Sequence, residues 1–140
     1  MPRPSTADVQ VRVRVASGSR RDGLAPAFVV PHAWTEDGIS VDGGGTGAHL
    51  LLTAVACCVL NDVYREAQEP GIALAGVRVD AVGGFDSTTW SSTTIAYDVD
   101  VDSDAPQQVV DGLLAQVDEV AEIPRVVRGS VAVTRERSEA

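Results

Sequence analysis

The chain has 140 residues, 44% of them hydrophobic, which is enough apolar matter for one folded domain. Its formal charge is -9, from 20 acidic residues against 11 basic ones, and every basic residue is arginine. That balance argues against nucleic acid, whose phosphates need clustered cations, and against an anionic membrane surface.

The first residues, MPRPSTADVQ, contain no apolar core of a secretory signal. The longest nearly uninterrupted apolar run, Leu50 to Leu60, is short for a bilayer. The expectation is a soluble, cytoplasmic protein whose thiols stay reduced.

Residues 8–16 alternate strictly, with Val9, Val11, Val13 and Val15 on one side and Gln10, Arg12 and Arg14 on the other. This pattern predicts a half-buried strand. The polar turn Gly18-Ser19-Arg20-Arg21-Asp22-Gly23 follows. Ala27 to Val30 reads as a second strand between two prolines, and Thr35 to Val41 as a third short strand or turn. After the triplet Gly43-Gly44-Gly45, Thr46 can cap a helix from about Gly47 to about Ala67. Between Leu50 and Leu60 this helix is apolar nearly all round, so it should be buried on several sides.

Val77 to Ala81 and Thr93 to Val101 read as strands, joined through the turn-rich GGFDSTTWSS. A second helix should start at Asp104-Ala105-Pro106, place Val109, Val110, Leu113, Leu114, Val117 and Val120 on its core face, and end near Pro124. Ser130 to Thr134 alternates as a last strand, and residues 1–7 and 135–140 read as frayed ends of a single domain. The order of strands, long helix, strands, helix and strand gives an α+β class rather than regular βαβ winding. A helix apolar on all sides needs a second sheet or a second subunit to cover it, so a homodimer is expected with this helix near its centre.

Cys57 and Cys58 are the only cysteines and lie in the middle of that helix. Two adjacent thiols do not make a zinc site, and neither His32 nor His49 completes one. A buried free cysteine usually packs as a small hydrophobe. It becomes a nucleophile only where positive charge or donors favour the thiolate. The arginine turn upstream, with Arg20 and Arg21, is the source of such charge.

Four segments resemble the OsmC/Ohr family of thiol-dependent peroxidases, the osmotically inducible and organic-hydroperoxide-resistance proteins. VRVASGSRRDG is similar to the family's first strand and its Gly-Arg-Asp-Gly turn. AHLLLTAVACCVL is similar to its cysteine helix, VYREAQEPGIALAGVRVDAVGGF to the helix end and next strand, and VDEVAEIPRVVRGSVAVT to its last helix, Arg-Gly turn and final strand. The resemblance implies an OsmC-like α+β fold, with antiparallel sheets wrapped around long central helices in an intertwined homodimer. It also implies that Cys58 is the peroxidatic cysteine and Arg21 its activating arginine, with Arg20 as the one-residue alternative.

The family glutamate that holds the arginine falls at Ala48, and the family's resolving cysteine at Ala121. Cys57 is a poor substitute for the resolver, because adjacent helical side chains diverge by about 100° while a disulfide needs Cβ atoms about 4 Å apart. Turnover would therefore draw on an external thiol, such as a lipoyl-type dithiol, and on no bound cofactor. Asp62, one turn beyond Cys58, either anchors the arginine or opposes the thiolate. His49 lies at the opposite helical phase from Cys58, where it could reach the arginine loop or do nothing. Trp34, Phe28, Phe85 and Trp90 either line a pocket for a small apolar or hydroperoxide ligand or belong to the core and dimer interface. Two functions stay open: reduction of organic hydroperoxides by one cysteine, or a non-catalytic member that binds an apolar small molecule. A different reaction in the same pocket is the third possibility.

Overall fold

A computed structural model describes residues 8–23 and 25–136. Residues 1–7, expected to fray, lie outside the described range. The elements run β1 (Asp8–Gly18), a single 3-10 turn (Ser19–Arg21), β2 (Phe28–Val30), β3 (Ile39–Asp42), α1 (Gly47–Gln68), β4 (Gly76–Asp86), β5 (Ser92–Asp102), α2 (Gln107–Val120), α3 (Glu122–Val127) and β6 (Ala132–Arg135).

Within the chain the described strands form a six-stranded sheet in the order β2-β3-β1-β4-β5-β6. All pairs are antiparallel except β5 with β6, because α2 and α3 carry the chain across between those two strands. The alternation in β1 does what its period requires. Val11, Val13 and Val15 enter the core, while Arg12 stays exposed. Asp8 to Gly18 pairs with Asp86 to Gly76 along the whole length of β4.

β4 is longer than its apolar pattern suggested. Gly83 and Gly84 are strand residues rather than a turn, and a Cβ on Gly83 would sit 3.1 Å from Leu52. The strand passes close under α1 there, and a side chain at Gly83 would have to displace Leu52 slightly. The tail also departs from the sequence reading, since Arg135 is part of β6 and the Glu136 amide donates to the Tyr97 carbonyl at 2.7 Å.

α1 lies across β1 and β4, with α2 and α3 against its other flank. Leu52, Val55, Val59, Leu60 and Val63 are fully enclosed. Each such side chain contributes about 1.5–3 kcal/mol as an upper figure. Length and composition alone would let α1 cross a membrane, but its burial in this core accounts for the composition. Coverage is incomplete: Leu50 is 48% and Leu51 37% exposed, and Ala54 is exposed on the same stretch. On α2, Val110, Leu113, Leu114 and Val117 are buried as the spacing predicts, whereas Val109 turns outward.

Pro124 does not simply end a helix. It falls in the first turn of α3, where a missing N–H costs nothing. Behind α3, Arg128 donates to the Asp118 carboxylate at 2.9 Å and to the Val133 carbonyl at 2.9 Å, and the Tyr97 hydroxyl donates to the same carboxylate. That knot ties α2, α3, β5 and β6 together.

Candidate functional site

Cys58 projects from the middle of α1 toward the start of α3 and is 9% exposed. The backbone N–H groups of Ile123 and Glu122, at the start of α3, lie on the side of its sulfur and favour the thiolate. Ala121, where the resemblance puts the family's resolving cysteine, is the N-cap residue of α3. The segment after α2 is therefore next to Cys58, and a carboxylate residue follows the alanine there. Glu122 had not been singled out from the sequence; its position just after Ala121 was the available signal.

Two carboxylates crowd the thiol. The sulfur of Cys58 and one carboxylate oxygen each of Asp62 and Glu122 lie within 4.8 Å of one another. Asp62 follows Cys58 by one helical turn and is 3% exposed, while Arg65 follows Asp62 by one more. The Arg65 guanidinium lies 3.0 Å from Asp62 Oδ2, 3.7 Å from Glu66 and 3.8 Å from Glu122. It meets Asp62 Oδ2 as an ion pair and not as a well-aligned hydrogen bond. Sulfur with two carboxylates is a donor set that a divalent cation accepts, but Arg65 already supplies positive charge to both carboxylates.

Burial pushes the Cys58 thiol up from its ordinary value, Asp62 and Glu122 push the same way, and the two α3 amides pull it down. Burial also raises the Asp62 carboxyl, against the pull of Arg65. Cys57 points elsewhere on the helix; burial and the neighbouring Cys58 raise it to about 11. Both cysteines are free thiols.

The arginine turn is built by close backbone approach. Gly18 has φ of 57°, and a Cβ there would fall 2.2 Å from the Ala75 carbonyl oxygen. The Ser19 amide donates to that same carbonyl at 2.9 Å. Arg20 lies 3.3 Å from Asp100 and joins a ladder of ion pairs on the sheet, in which Arg78 meets Asp80 and Asp100 and Arg14 meets Asp80. Arg21 instead donates from Nε to Ser40 Oγ at 2.7 Å, with Asp37 3.8 Å away. Ile39 and Val41 point into the core, so Ser40, opposite Ala16 in register, faces the other side of the sheet from α1. Within one chain the structure does not bring Arg21 and Cys58 together.

The remaining residues separate in the same way. His49 belongs to the α1 N-cap: its Nδ1 lies 2.6 Å from Thr46 Oγ1, and its amide donates to that oxygen at 3.3 Å. Ala48, at the glutamate position, packs against the core from the first turn. Asp62 is anchored by Arg65, not by either turn arginine. Trp34 forms a ring cluster with His32 and Tyr64 and lines a cleft of about 200 Å³ with Ala67, Gln68, Ile72 and Leu74. Phe28 and Phe85 pack on the core, and Trp90 is exposed at the β4–β5 turn. The four aromatics do not share a pocket. A larger open depression of about 410 Å³ lies on the sheet between Arg12, Arg14, Asp42, Asp80, Asp98 and Glu136, and includes neither cysteine.

The thiol at mid-helix is met by the segment that follows α2. Residues 40–136 match the model of the OsmC-like proteins, and the chain belongs to that family. The match contains Cys58, Asp62 and Glu122 but begins beyond Arg21. No curated protein matches by sequence. Among solved structures, the chain is similar to an OsmC-like protein from Mycoplasma pneumoniae, with 12% identity and a TM-score of 0.61 over 74% of this chain and 84% of that one. An osmc-like hydroperoxide resistance protein from Jannaschia gives 10% identity and a TM-score of 0.60 over 87% of each chain. An organic hydroperoxide resistance protein OsmC from Legionella pneumophila gives 19% identity and a TM-score of 0.58, over 98% of this chain and 100% of that one. The likeness to these structures is one of fold.

Proposed function

We propose that this chain reduces organic hydroperoxides through Cys58, using an external thiol as reductant and working as a homodimer. The observation that carries the reading is a buried free thiol, Cys58, at the middle of α1 and facing the start of α3 in a chain of this family, where the Glu122 and Ile123 amides favour the thiolate. Such donors favour the thiolate and an oxyanion leaving beside it. The thiolate attacks one peroxide oxygen, the O–O bond breaks, and the alcohol leaves after its oxygen takes a proton. Cys58 is then a sulfenic acid. A first external thiol attacks that sulfur and releases water, and a second reduces the mixed disulfide, so the two electrons come from the external thiols.

The dimer is supported by the uncovered Leu50, Leu51 and Ala54 on α1. Arg21 of the partner subunit is the activating cation in this reading, since within a chain Arg21 is engaged by Ser40. Cumene hydroperoxide consumption with a dithiol tests the whole. A clear rate in wild type that vanishes in Cys58→Ser supports it, and no rate above background from a stable dimer sinks it.

One observation favours the second reading, a non-catalytic member that binds an apolar small molecule. The Cys58 thiol is raised, with two carboxylates beside it and no arginine of its own chain in contact. The apolar cleft at Trp34 and Tyr64 is where such a ligand would enter. Quenching of Trp34 fluorescence by a hydrophobic probe, without peroxide turnover, would select this alternative.

A further inference from the structure

Three donor atoms from two helices converge at one point. Cys58 and Asp62 stand one turn apart on one face of α1, and Glu122 opens α3 across from them. The Cys58 sulfur and one carboxylate oxygen from each acid lie within 4.8 Å of one another. Tetrahedral zinc, with bonds of about 2.3 Å to sulfur and about 2.0–2.2 Å to oxygen, holds its ligand atoms about 3.5 Å apart, so the three need close by no more than about 1.3 Å. The Glu122 side chain is 67% exposed and free to rotate over that distance.

A second observation points to a cation. The Asp62 side chain is 4% exposed, and its buried Oδ2 has no hydrogen-bond partner. What it has is the Arg65 guanidinium, 3.0 Å away as an ion pair, and Arg65 is shared with Glu122 at 3.8 Å. An enclosed carboxylate whose one ion pair is misaligned is poorly compensated for the water it has lost. The Arg65 side chain is 43% exposed, so it can turn out to solvent when a better partner for Asp62 arrives.

We infer that Cys58, Asp62 and Glu122 form a binding site for one divalent cation of the zinc type, with a solvent molecule as its fourth ligand. The sulfur favours a borderline metal such as Zn2+ over Mg2+ or Ca2+, which prefer oxygen. The metal takes the thiolate, so Cys58 gives its proton to solvent as the metal–sulfur bond forms, and no electron moves. That bond uses the sulfur lone pair with which the thiolate would attack a peroxide. Arg21 of the partner subunit, which the proposed function brings to this thiolate, competes with the metal for the same place. Metal binding and hydroperoxide reduction are therefore alternative states of one sulfur, and a bound metal holds the nucleophile out of use. The site goes beyond the peroxidase reading and does not rest on it.

Metal binding is read directly, without turnover. The reduced full-length protein in a Cys57→Ser background is titrated with Cd2+, whose bond to a thiolate absorbs in the ultraviolet, and the Cd2+ is then displaced with Zn2+. The expected result is a band that saturates at one Cd2+ per chain, is erased by Zn2+ and is absent once Cys58→Ser is added. Glu122→Gln, a change at an exposed side chain, and Asp62→Asn should each weaken binding by at least the roughly tenfold that even an outer-shell partner is worth.

The lack of a Cd2+ band would overturn the inference. So would binding of unchanged strength in Glu122→Gln or in Asp62→Asn, because the thiol would then be taking the metal without that carboxylate. A band that survives Cys58→Ser would put the metal elsewhere and overturn it as well. A band that meets every expectation, in a protein that does not consume cumene hydroperoxide, would leave the metal site standing and remove the peroxidase reading alone.

Discussion

The thiol and the arginine turn are held in opposite ways. Cys58 is locked on the helical side of the sheet, enclosed by α1 and α3, and every group around it belongs to a packed element. Arg21 sits on one 3-10 turn at the end of β1, on the far side of the sheet, held by a hydroxyl and an exposed carboxylate. The contrast teaches that the chemistry of Cys58 is set by rigid neighbours, whereas that of Arg21 depends on what the turn is free to meet. A rigid nucleophile with a movable cation is a workable division, provided that a second subunit brings the cation in.

The largest effect should come from the rigid side. Cys58→Ser is expected to abolish hydroperoxide consumption, measured with a dithiol reductant. Arg21→Ala should lower the rate by roughly 10²–10³-fold if the guanidinium acts on the leaving oxygen. Arg20→Ala should change it far less, because Arg20 is tied into the ion-pair ladder at Asp100. Equal losses in the two arginine variants would break the distinction drawn between them.

The next effect concerns what keeps α3 against Cys58. Asp118 accepts from Tyr97 and Arg128, and removing it leaves a buried phenol and a half-buried guanidinium without their partner. Asp118→Ala should cost about 3 kcal/mol in a denaturant titration. It should also speed alkylation of Cys58, because α3 loosens. Loss of stability with unchanged alkylation would mean that α3 is held by other contacts.

The sequence carried the nucleophile's half of this picture well. Alternation in β1, the Thr46 cap and the apolar centre of α1 follow from period and chemistry, and the structure has all three. β4 was under-read because Gly83-Gly84 signals a turn locally, whereas in the strand Gly83 faces Leu52 and Gly84 faces Thr93 of β5. α3 was missed because Pro124 signals a stop, although proline is harmless in a first turn. Glu122 and Arg65 escaped notice for other reasons. The closeness of Glu122 comes from α3 folding back on α1, a contact between positions far apart in sequence, whereas Arg65 continues the helix face of Cys58 and Asp62 and was overlooked as part of the polar end of α1. No local pattern shows on which side of the sheet Arg21 lies; that follows from the register of β3 on β1.

A smaller effect comes from the half-buried thiol of Cys57 at high pH. Cys57 is raised to about 11 from an ordinary 9.0, chiefly by burial, so the folded chain keeps a proton that the unfolded chain gives up. The stability tied to that proton is present below about pH 9 and is lost as pH rises through about 11. Tyr64 and Tyr97 are also raised by burial and act with the same sign, so the comparison must be between wild type and Cys57→Ala. Thermal unfolding from pH 8 to 11 should fall more steeply in wild type, by roughly 2 kcal/mol over the window. Parallel curves would show that Cys57 is not enclosed, as happens if its side of α1 opens to solvent.

The smallest expected effect tests whether the arginine turn is as loosely held as its contacts imply. Asp37 is 85% exposed and 3.8 Å from the guanidinium, a geometry that water and salt screen almost completely. Asp37→Ala should leave stability within about 0.5 kcal/mol. Ser40 is different: it is 2% exposed, and its hydroxyl accepts from Arg21 Nε at 2.7 Å. Ser40→Ala should cost about 1 kcal/mol, the net worth of one such bond. It should also free Arg21 to move. If the guanidinium works on the thiol of a partner subunit, releasing it from Ser40 raises hydroperoxide turnover or leaves it unchanged. A large fall in turnover with little loss of stability would mean that the bond to Ser40 holds Arg21 in its working position. The turn would then be as well ordered as the cysteine helix.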